Sequence, residues 1–489
     1  MNQQMDTQLP EGWVEASLGE LNQYQASTVQ PEKFAKTTFE LYSVPAFPEK
    51  IPEILQGESI GSSKQLVLSK DVLICKINPR INRVWVVKDI KQYQQIASSE
   101  WIVFRQPALN ERYFGYYFQS LRFRNLLCAD VTGVGGSLTR AQPKKVATFE
   151  LPLPPLAEQH YLADKLDSLL ARIQTVSEQL AAVPALLKQF RQSVLADAVS
   201  GKLTAEWRNK NELSISNYQE ISQQEKQDKL DKRKIKTASL PHEFAPSITL
   251  PESWRWLSLD EACYKITDGT HHSPKSYATG DFMYVTSKNV REGYLDLSNI
   301  TYVDKATHQE IFSRCNVAYQ DVLYIKDGVN TGLSCVNTIE EEISLLSSVA
   351  VFKPCSFLHP FYLQHYLNSP VGRQVMLDLM GGTAIKRLTL QKIINSPIPI
   401  PPLTEQTEIV RRVEALFALA DQIEQQSRAA AERVALLTQS VLAKAFRGEL
   451  SAQWRCEHPD LISGDNSAAA LLARIQAERE ATGKKSRRA

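Results

Sequence analysis

The sequence predicts an α+β protein built twice: two mixed α/β globular halves, each followed by a long helix, the two helices forming an intramolecular coiled coil. Three observations predict it. Residues 151–208 and 398–455 align without a gap at a constant offset of 247, with 21 identities in 58 positions. Both copies carry an apolar 4-3-4-3 spacing, which is the seam of a coiled coil. Ahead of each copy lie short β-branched and aromatic runs of strand length. Duplication at this period decides the architecture before any motif is read.

Composition sets the frame. A chain of 489 residues with 43% apolar and 22% charged residues is ordinary globular material, and a disordered or fibrous chain is excluded. About 150 residues per domain would suggest roughly three domains. The net charge of +2, from 56 basic and 54 acidic residues, excludes a polycation but leaves room for a local basic face. Seven scattered cysteines, none in C-x-x-C spacing, argue against a disulfide framework or zinc ribbon and for a reducing cytoplasm. The N-terminus has no signal-like pattern and no run approaches 18 apolar residues, so no membrane association is expected.

The elements follow in chain order. Residues 9–150 form the first globular half, opening on LPEGWVEASLGE and containing VLICKI, RVWVV and EWIVF as strands, with a helix around Tyr113–Cys128. Residues 151–208 start at LPLPPLAEQ, where Pro154 and Pro155 stop a helix from extending backwards. The seam then runs Leu162, Leu166, Leu169, Ile173, Val176, Leu180, Val183, Leu187, Phe190, Val194, with a kink or break expected at Pro184 and a stop at Gly201. Residues 209–249 are polar and charge-rich, a linker with partial helical character. Residues 250–397 form the second half, opening on LPESWRWLSLDE, with FMYVT, DVLYI and SVAVF as strands and FYLQHYLNSPVGRQVMLDLM as a helix. Residues 398–455 repeat the helix, with Ile409, Val413, Leu416, Ala420, Ile423, Ser427, Ala430, Val434, Leu437 and Val441 at the seam, and Gly448 as the stop. Residues 456–489 form a short amphipathic tail helix with a basic end. Between the anchors the halves match only at points: Asp71-Val-Leu with Asp321-Val-Leu, Val103-Phe-Arg with Val351-Phe-Lys, and Gly135-Gly136-Ser137 with Gly381-Gly382-Thr383. A surface helix packed on its own half is the alternative to the coiled coil, and the duplicated seam speaks against it.

Catalytic signatures are missing. The chain has no G-x-x-x-x-G-K-[ST] loop, no strand-linked G-x-G-x-x-G, no [DN]-P-P-[YF] tetrapeptide and no H-E-x-x-H. A Ser/His/Asp triad assembled from distant residues stays open. His271-His272 and Cys263 lack the spacing of a metal site and read as ordinary loop residues. What remains is binding. The first half offers Lys76, Arg80 and Arg83 in a turn between strands, then Gly135, Gly136, Ser137 and Arg140, followed by Lys144 and Lys145. The second offers Thr270, His271, His272 and Lys275 in DGTHHSPK, Lys288 and Asn289 in TSKNVREGY, Lys326 after a strand, and Gly381, Gly382, Thr383, Lys386 and Arg387 in GGTAIKR. Glycines allow close backbone approach to phosphate, and hydroxyls with Arg or Lys supply donors to phosphates and base edges.

A variable α/β region, then [IL]-P-[LI]-P-P-L-x-E-Q and a long heptad helix, the whole repeated, resembles the specificity subunits of Type I restriction–modification enzymes. The resemblance covers nearly the whole chain. It is carried by Pro154, Pro155, Leu156, Glu158, Gln159 and by Pro401, Pro402, Leu403, Glu405, Gln406, with LPEGW, LPESW and the G-[KE]-L-[TS]-A-x-W-R endings that contain Trp207, Arg208, Trp454 and Arg455. DGTHHSPK is similar to a common target-recognition-domain pattern that the first half lacks. The endings and the tail are similar to the enterobacterial IA-type subgroup. The resemblance implies two target recognition domains, each reading one half of a bipartite asymmetric site on double-stranded DNA. It implies an antiparallel helix pair, hence a pseudo-twofold repeat, that sets the spacer and docks two modification subunits, with two restriction subunits completing the complex. It further implies that this chain carries no cofactor or metal and is not an enzyme by itself. S-adenosylmethionine would sit on the modification subunits, which methylate adenine N6, and ATP and Mg on the restriction subunits. Two other classes remain: a coiled-coil scaffold that binds only protein, and a stand-alone DNA-modifying enzyme. Given S-adenosylmethionine or magnesium, the purified chain is expected to leave DNA unmodified; sequence-specific methylation without the modification subunit would contradict the resemblance.

Overall fold

The computed structural model describes residues 9–89, 92–129, 131–132, 139–212, 216–230, 248–379 and 388–486. The chain divides into two compact units, one of residues 1–181 with 428–489 and one of residues 182–427. The cuts fall inside the two long helices, Leu156–Val199 and Leu403–Phe446, each of 44 residues. Each unit therefore holds one globular half, the first turns of the helix that follows it, and the last turns of the other helix. In the first unit Leu162, Ala163 and Leu166 share a core with Leu442, Ala445 and Phe446. In the second, Val194, Leu195, Ala198 and Val199 share one with Ile409, Val410 and Val413. Start meets end in both, so the paired segments run antiparallel, as the fold class requires.

The seam is buried unevenly. Leu162, Leu166, Leu187, Val194, Ile409, Val413 and Ala420 are buried, whereas Val176, Phe190, Ile423 and Leu437 are exposed. Two helices alone cover only one side of each other, and full burial appears where a globular half adds a third layer. Pro184 does not break the first helix, which is continuous through it; one missing N–H leaves the rest of a 44-residue hydrogen-bond ladder in place.

Within the first unit, Val72–Cys75 lies between Val84–Val86 and Trp101–Phe104 in an antiparallel sheet. A second sheet is ordered Thr28–Val29, Lys64–Leu66, Gln94–Ala97, Thr38–Tyr42, Glu53–Gln56. In the second unit an antiparallel sheet is ordered Cys263–Asp268, Val349–Pro354, Val322–Ile325, Ser334–Val336, and a smaller one Thr301–Val303, Phe282–Val285, Ser344–Leu345. The helix expected over 361–380 is two helices, Pro360–Asn368 and Pro370–Asp378. Pro370 drives Ser369 to extended backbone, and Ser369 Oγ accepts the Gly372 N–H at 3.0 Å. The first half breaks likewise at Ser120, between Glu111–Gln119 and Leu121–Ala129.

The isolated sequence echoes become ion pairs at equivalent places. Asp71 takes Arg105 in a two-pronged bond of 2.7 and 2.6 Å and accepts the Leu68 N–H. Asp321 takes Lys353 at 2.5 Å and accepts the Ala318 N–H. Each pair staples adjacent antiparallel strands. The linker is helical over Tyr218–Lys229 and packs in the second unit, with Tyr218 against Phe357 and the buried Lys226 bonded to Asp260 at 2.8 Å. The tail helix, Ala468–Ser486, buries Leu471 and Ile475 in the first unit's core. Among the described residues no helix is long and apolar enough to cross a membrane.

Both units are closed by the same device. The opening strand of each half pairs with the strand that precedes PPLxEQ: Val14–Ser17 with Glu150–Leu153, and Arg255–Ser258 with Pro397–Ile400. The glutamate of PPLxEQ then enters a fully buried socket. Glu158 Oε2 accepts Trp13 Nε1–H at 2.8 Å, and Oε1 accepts Ser451 Oγ–H at 2.5 Å and Arg455 at 2.6 Å. Glu405 Oε2 accepts Trp254 Nε1–H at 2.9 Å, and Oε1 accepts Thr204 at 2.7 Å and Arg208 at 2.8 Å. The tryptophan comes from the start of the same half, and the hydroxyl and guanidinium come from the end of the other copy's helix. Gly201 and Gly448, at φ +78° and +71°, end the helices there, and a Cβ on either would strike Pro251 at 2.5 Å or Pro10 at 2.4 Å. The adjacent glutamines hook the halves on: Gln159 Oε1 accepts Asn110 N–H at 3.0 Å, and Gln406 Oε1 accepts His359 N–H at 2.8 Å.

Removing one partner of a buried ion pair strands the other and costs about 3–5 kcal/mol. Glu405→Ala is therefore expected to lower the denaturant midpoint by an amount of that order, Glu432→Ala on the exposed helix surface to leave it nearly unchanged, and Glu405→Ala with Arg208→Ala to cost less than the sum of the two. A second expectation concerns acid. Burial, with a smaller push from His359, lowers His365 to about 4. Its folded value lies below the unfolded value of about 6.5, so its contribution is whole above pH 6.5 and is lost as pH falls toward 4, on the order of 3 kcal/mol at most. Denaturation at stepped pH should show this loss, and His365→Gln should flatten it.

Candidate nucleic-acid interface

The strand Cys263–Asp268 delivers DGTH to one end of the second unit's main sheet. Gly269 is required by close packing, because a Cβ there would lie 2.0 Å from the Leu345 carbonyl oxygen. Thr270 N–H donates to Leu345 O at 2.8 Å and Ser347 N–H donates to Thr270 O at 2.8 Å, so the loop is pinned on both sides. Thr270 Oγ1 also accepts the His272 N–H at 3.3 Å, which tightens the turn. His271, His272 and Lys275 then stand on the surface.

Asp268, with 2% exposure, is the hub. Its Oδ1 lies 3.1 Å from Arg314 and 3.6 Å from His271, and its Oδ2 lies 3.5 Å from Lys326. His271 Nε2 lies 2.7 Å from Arg314, and since a guanidinium only donates, Nε2 accepts. Lys326 is buried and also bonds Asp327 at 3.0 Å. The fold thus brings together His271 and Lys326 from the sequence-derived set, and adds Asp268 and Arg314, which sequence reasoning missed. DGTH offered a signal for Asp268; Arg314, at the end of the helix Lys305–Arg314, offered none.

The other candidates are dispersed. Lys275 is exposed with Nζ 5.2 Å from the Tyr277 ring centroid, and Lys288 is exposed. Asn289 is buried and serves its own loop, accepting Thr286 N–H and donating to Asp296 O. In the first unit, Asn78 and Asn82, at φ 49° and 51°, bracket a single turn that displays Arg80. Arg83 donates to Ile77 O at 3.4 Å, Arg140 pairs with Glu100 at 3.1 Å, and Lys76 is half-buried. Gly135, Gly136, Ser137, Gly381, Gly382, Thr383, Lys386 and Arg387 lie outside the described residues. Of the helix motifs, Pro154, Pro155, Glu158, Gln159, Pro401, Pro402, Glu405 and Gln406 are buried, and Arg208 and Arg455 fill the sockets. Leu403 is exposed, Leu156 and Trp207 are half-buried, and Trp454 stacks on Tyr161 at 5.2 Å.

A Ser–His–acid row does exist, with His308 Nδ1 3.0 Å from Ser344 Oγ and Nε2 3.0 Å from Glu342. Ser344 is fully buried and His308 is stacked on Phe282 at 3.9 Å, so the row holds a strand to a helix and no substrate reaches the hydroxyl. Among the described residues no group of three His, Cys, Asp or Glu is placed to hold a metal ion.

The model of the Type I restriction modification DNA specificity domain matches the chain twice, at residues 10–185 and 251–433. The EcoBI specificity subunit of Escherichia coli is 38% identical over 347 residues, 68% of this chain and 65% of that one, so the match spans just under two thirds of that relative's length. The EcoKI specificity subunit of Escherichia coli K12 is 33% identical, covering 76% of this chain and 73% of that one, and the StySPI specificity subunit of Salmonella potsdam is 32% identical, covering 77% and 73%. Among solved structures, the HsdS subunit of Thermoanaerobacter tengcongensis shares the fold at a TM-score of 0.60 and 20% identity, over 91% of this chain and 99% of that one. A chain from a structure of type I R-M complex assembly shares it at 0.64 and 21%, over 90% and 99%.

Proposed function

The chain belongs to the Type I restriction–modification DNA specificity family, and from that membership we propose that it is the non-catalytic subunit through which such a complex reads a bipartite, asymmetric site on double-stranded DNA. Each globular half reads one half-site, and the paired helices set the spacer between them. The observation that carries this reading is the duplication itself: one family domain occurs twice, each copy closed by the same glutamate socket, around halves that otherwise differ. Divergent halves suit the reading of different bases, and repeated helices suit the docking of two equivalent modification subunits. The exposed seam residues Val176, Phe190, Ile423 and Leu437 give those partners apolar surface on both helices.

Chemistry belongs to the partners in this reading. The modification subunits bring S-adenosylmethionine and flip the target adenine out of the duplex to methylate N6. Two restriction subunits bring ATP and Mg. The near-neutral charge of this chain is consistent with partners sharing the phosphate grip, since each neutralised phosphate adds to affinity and to salt sensitivity. The complex acts in the cytoplasm on incoming DNA.

The helices test the spacer. One heptad adds about 10.5 Å of rise, close to three base pairs at 3.4 Å each. Inserting a heptad at the exposed midpoint of both helices should lengthen the methylated site's spacer by about three base pairs and leave both half-sites unchanged. Methylation mapping of the complex with its modification subunits checks it; altered half-sites with the old spacer would contradict the proposal.

A further inference from the structure

We propose that Arg314 reads a guanine in the half-site of the second globular half, and that Asp268 is the positioning residue that aims it; this rests on the DNA-reading role proposed above. The backbone of Arg314 is fixed, because it ends the helix Lys305–Arg314 and is followed by the fully buried Cys315. Its side chain is fixed at one nitrogen only. That nitrogen donates to Asp268 Oδ1 at 3.1 Å and to His271 Nε2 at 2.7 Å. The side chain is nonetheless 52% exposed, and among the described residues no other group bonds the guanidinium. Asp268 and His271 together occupy that nitrogen, and the second terminal nitrogen has no partner among the described residues; once the exposed His271 yields its share, the two terminal nitrogens form an end-on fork that suits the paired acceptors O6 and N7 of guanine in the major groove.

Charge balance separates base reading from phosphate gripping. Arg314 and Lys326 face two carboxylates, Asp268 and Asp327, so the cluster brings little uncompensated positive charge. Phosphate contacts gain affinity from cations that release counterions. Lys326 is buried between its two carboxylates and is spent inside the fold, whereas the exposed Lys275, seven residues after Asp268 in the chain, carries no carboxylate partner among the described residues. Arg314, at the end of its helix, is thus the directional reader, and Lys275 of the DGTH loop a phosphate contact.

The test uses the full chain assembled with its modification subunits, methylating a pool of DNA with randomised half-sites. The unsubstituted complex should prefer a G·C pair at one position of one half-site. Arg314→Lys, which keeps the charge and loses the fork, and Arg314→Gln should each reduce that preference by about 10-fold to about 100-fold. The other half-site and the salt dependence of binding should stay unchanged. Asp268→Asn should lose preference at the same position although Arg314 is present. Lys275→Ala should instead weaken binding evenly and lower the salt slope by about one. Unchanged preferences in Arg314→Gln would overturn the proposal, as would an even loss across all sequences. The exposed Arg314 variants decide the matter if Asp268→Asn does not fold. An unsubstituted complex with no sequence preference would overturn the DNA-reading role itself, and the proposal with it.

Discussion

The fold depends on two carboxylates that could not be buried alone. Glu158 and Glu405 sit in fully dry positions, where an unpaired charge would cost several kcal/mol. Each needs an indole, a hydroxyl and a guanidinium at once, and no single stretch of chain supplies all three. The opening of a half gives the tryptophan, PPLxEQ gives the acid, and the far end of the other helix gives the remaining donors. Satisfying the acids therefore forces each helix to end where the other begins. The antiparallel pairing is a consequence of that requirement as much as of the apolar seam, which leaves Val176, Phe190, Ile423 and Leu437 exposed.

That requirement explains why the sequence repeats where it does. LPEGW and LPESW, the two PPLxEQ segments and the two G-x-L-[TS]-A-x-W-R endings are the three parts of one socket, and the prolines and glycines in them meet: Gly201 against Pro251, Gly448 against Pro10. Residues that carry the motif resemblance, such as Glu158, Gln159, Glu405 and Gln406, are occupied within the fold.

Much of this was legible in the sequence, because periodicity and duplication survive in a string of letters. The long helices, their glycine stops and the six apolar strands were read from local pattern. The five-stranded sheet of the first half was not, since strands such as Gln94–Ala97 and Lys64–Leu66 are short and polar and are held by pairing with neighbours distant in sequence. The split helices were missed because apolar periodicity continues across Ser369-Pro370, although the proline itself was a visible signal. Residue type did not show burial: Lys326 and Asn289 are buried and bonded within the second half, whereas the exposed Arg314 meets a carboxylate 46 residues away. Ion-pair partners far apart in the chain leave no spacing to read.

Structural and recognition residues are thus separated along the chain: sockets and staples recur, and loops differ. A protein organised in this way should accept a foreign reading half without disturbing the rest. Replacing residues 251–397 with the aligned half of the EcoKI relative, and mapping the sites methylated by the assembled complex, tests this most directly. One half-site should change to that of the donor, while the other half-site and the spacer stay as they were. A change in both half-sites, or in neither, would contradict the account.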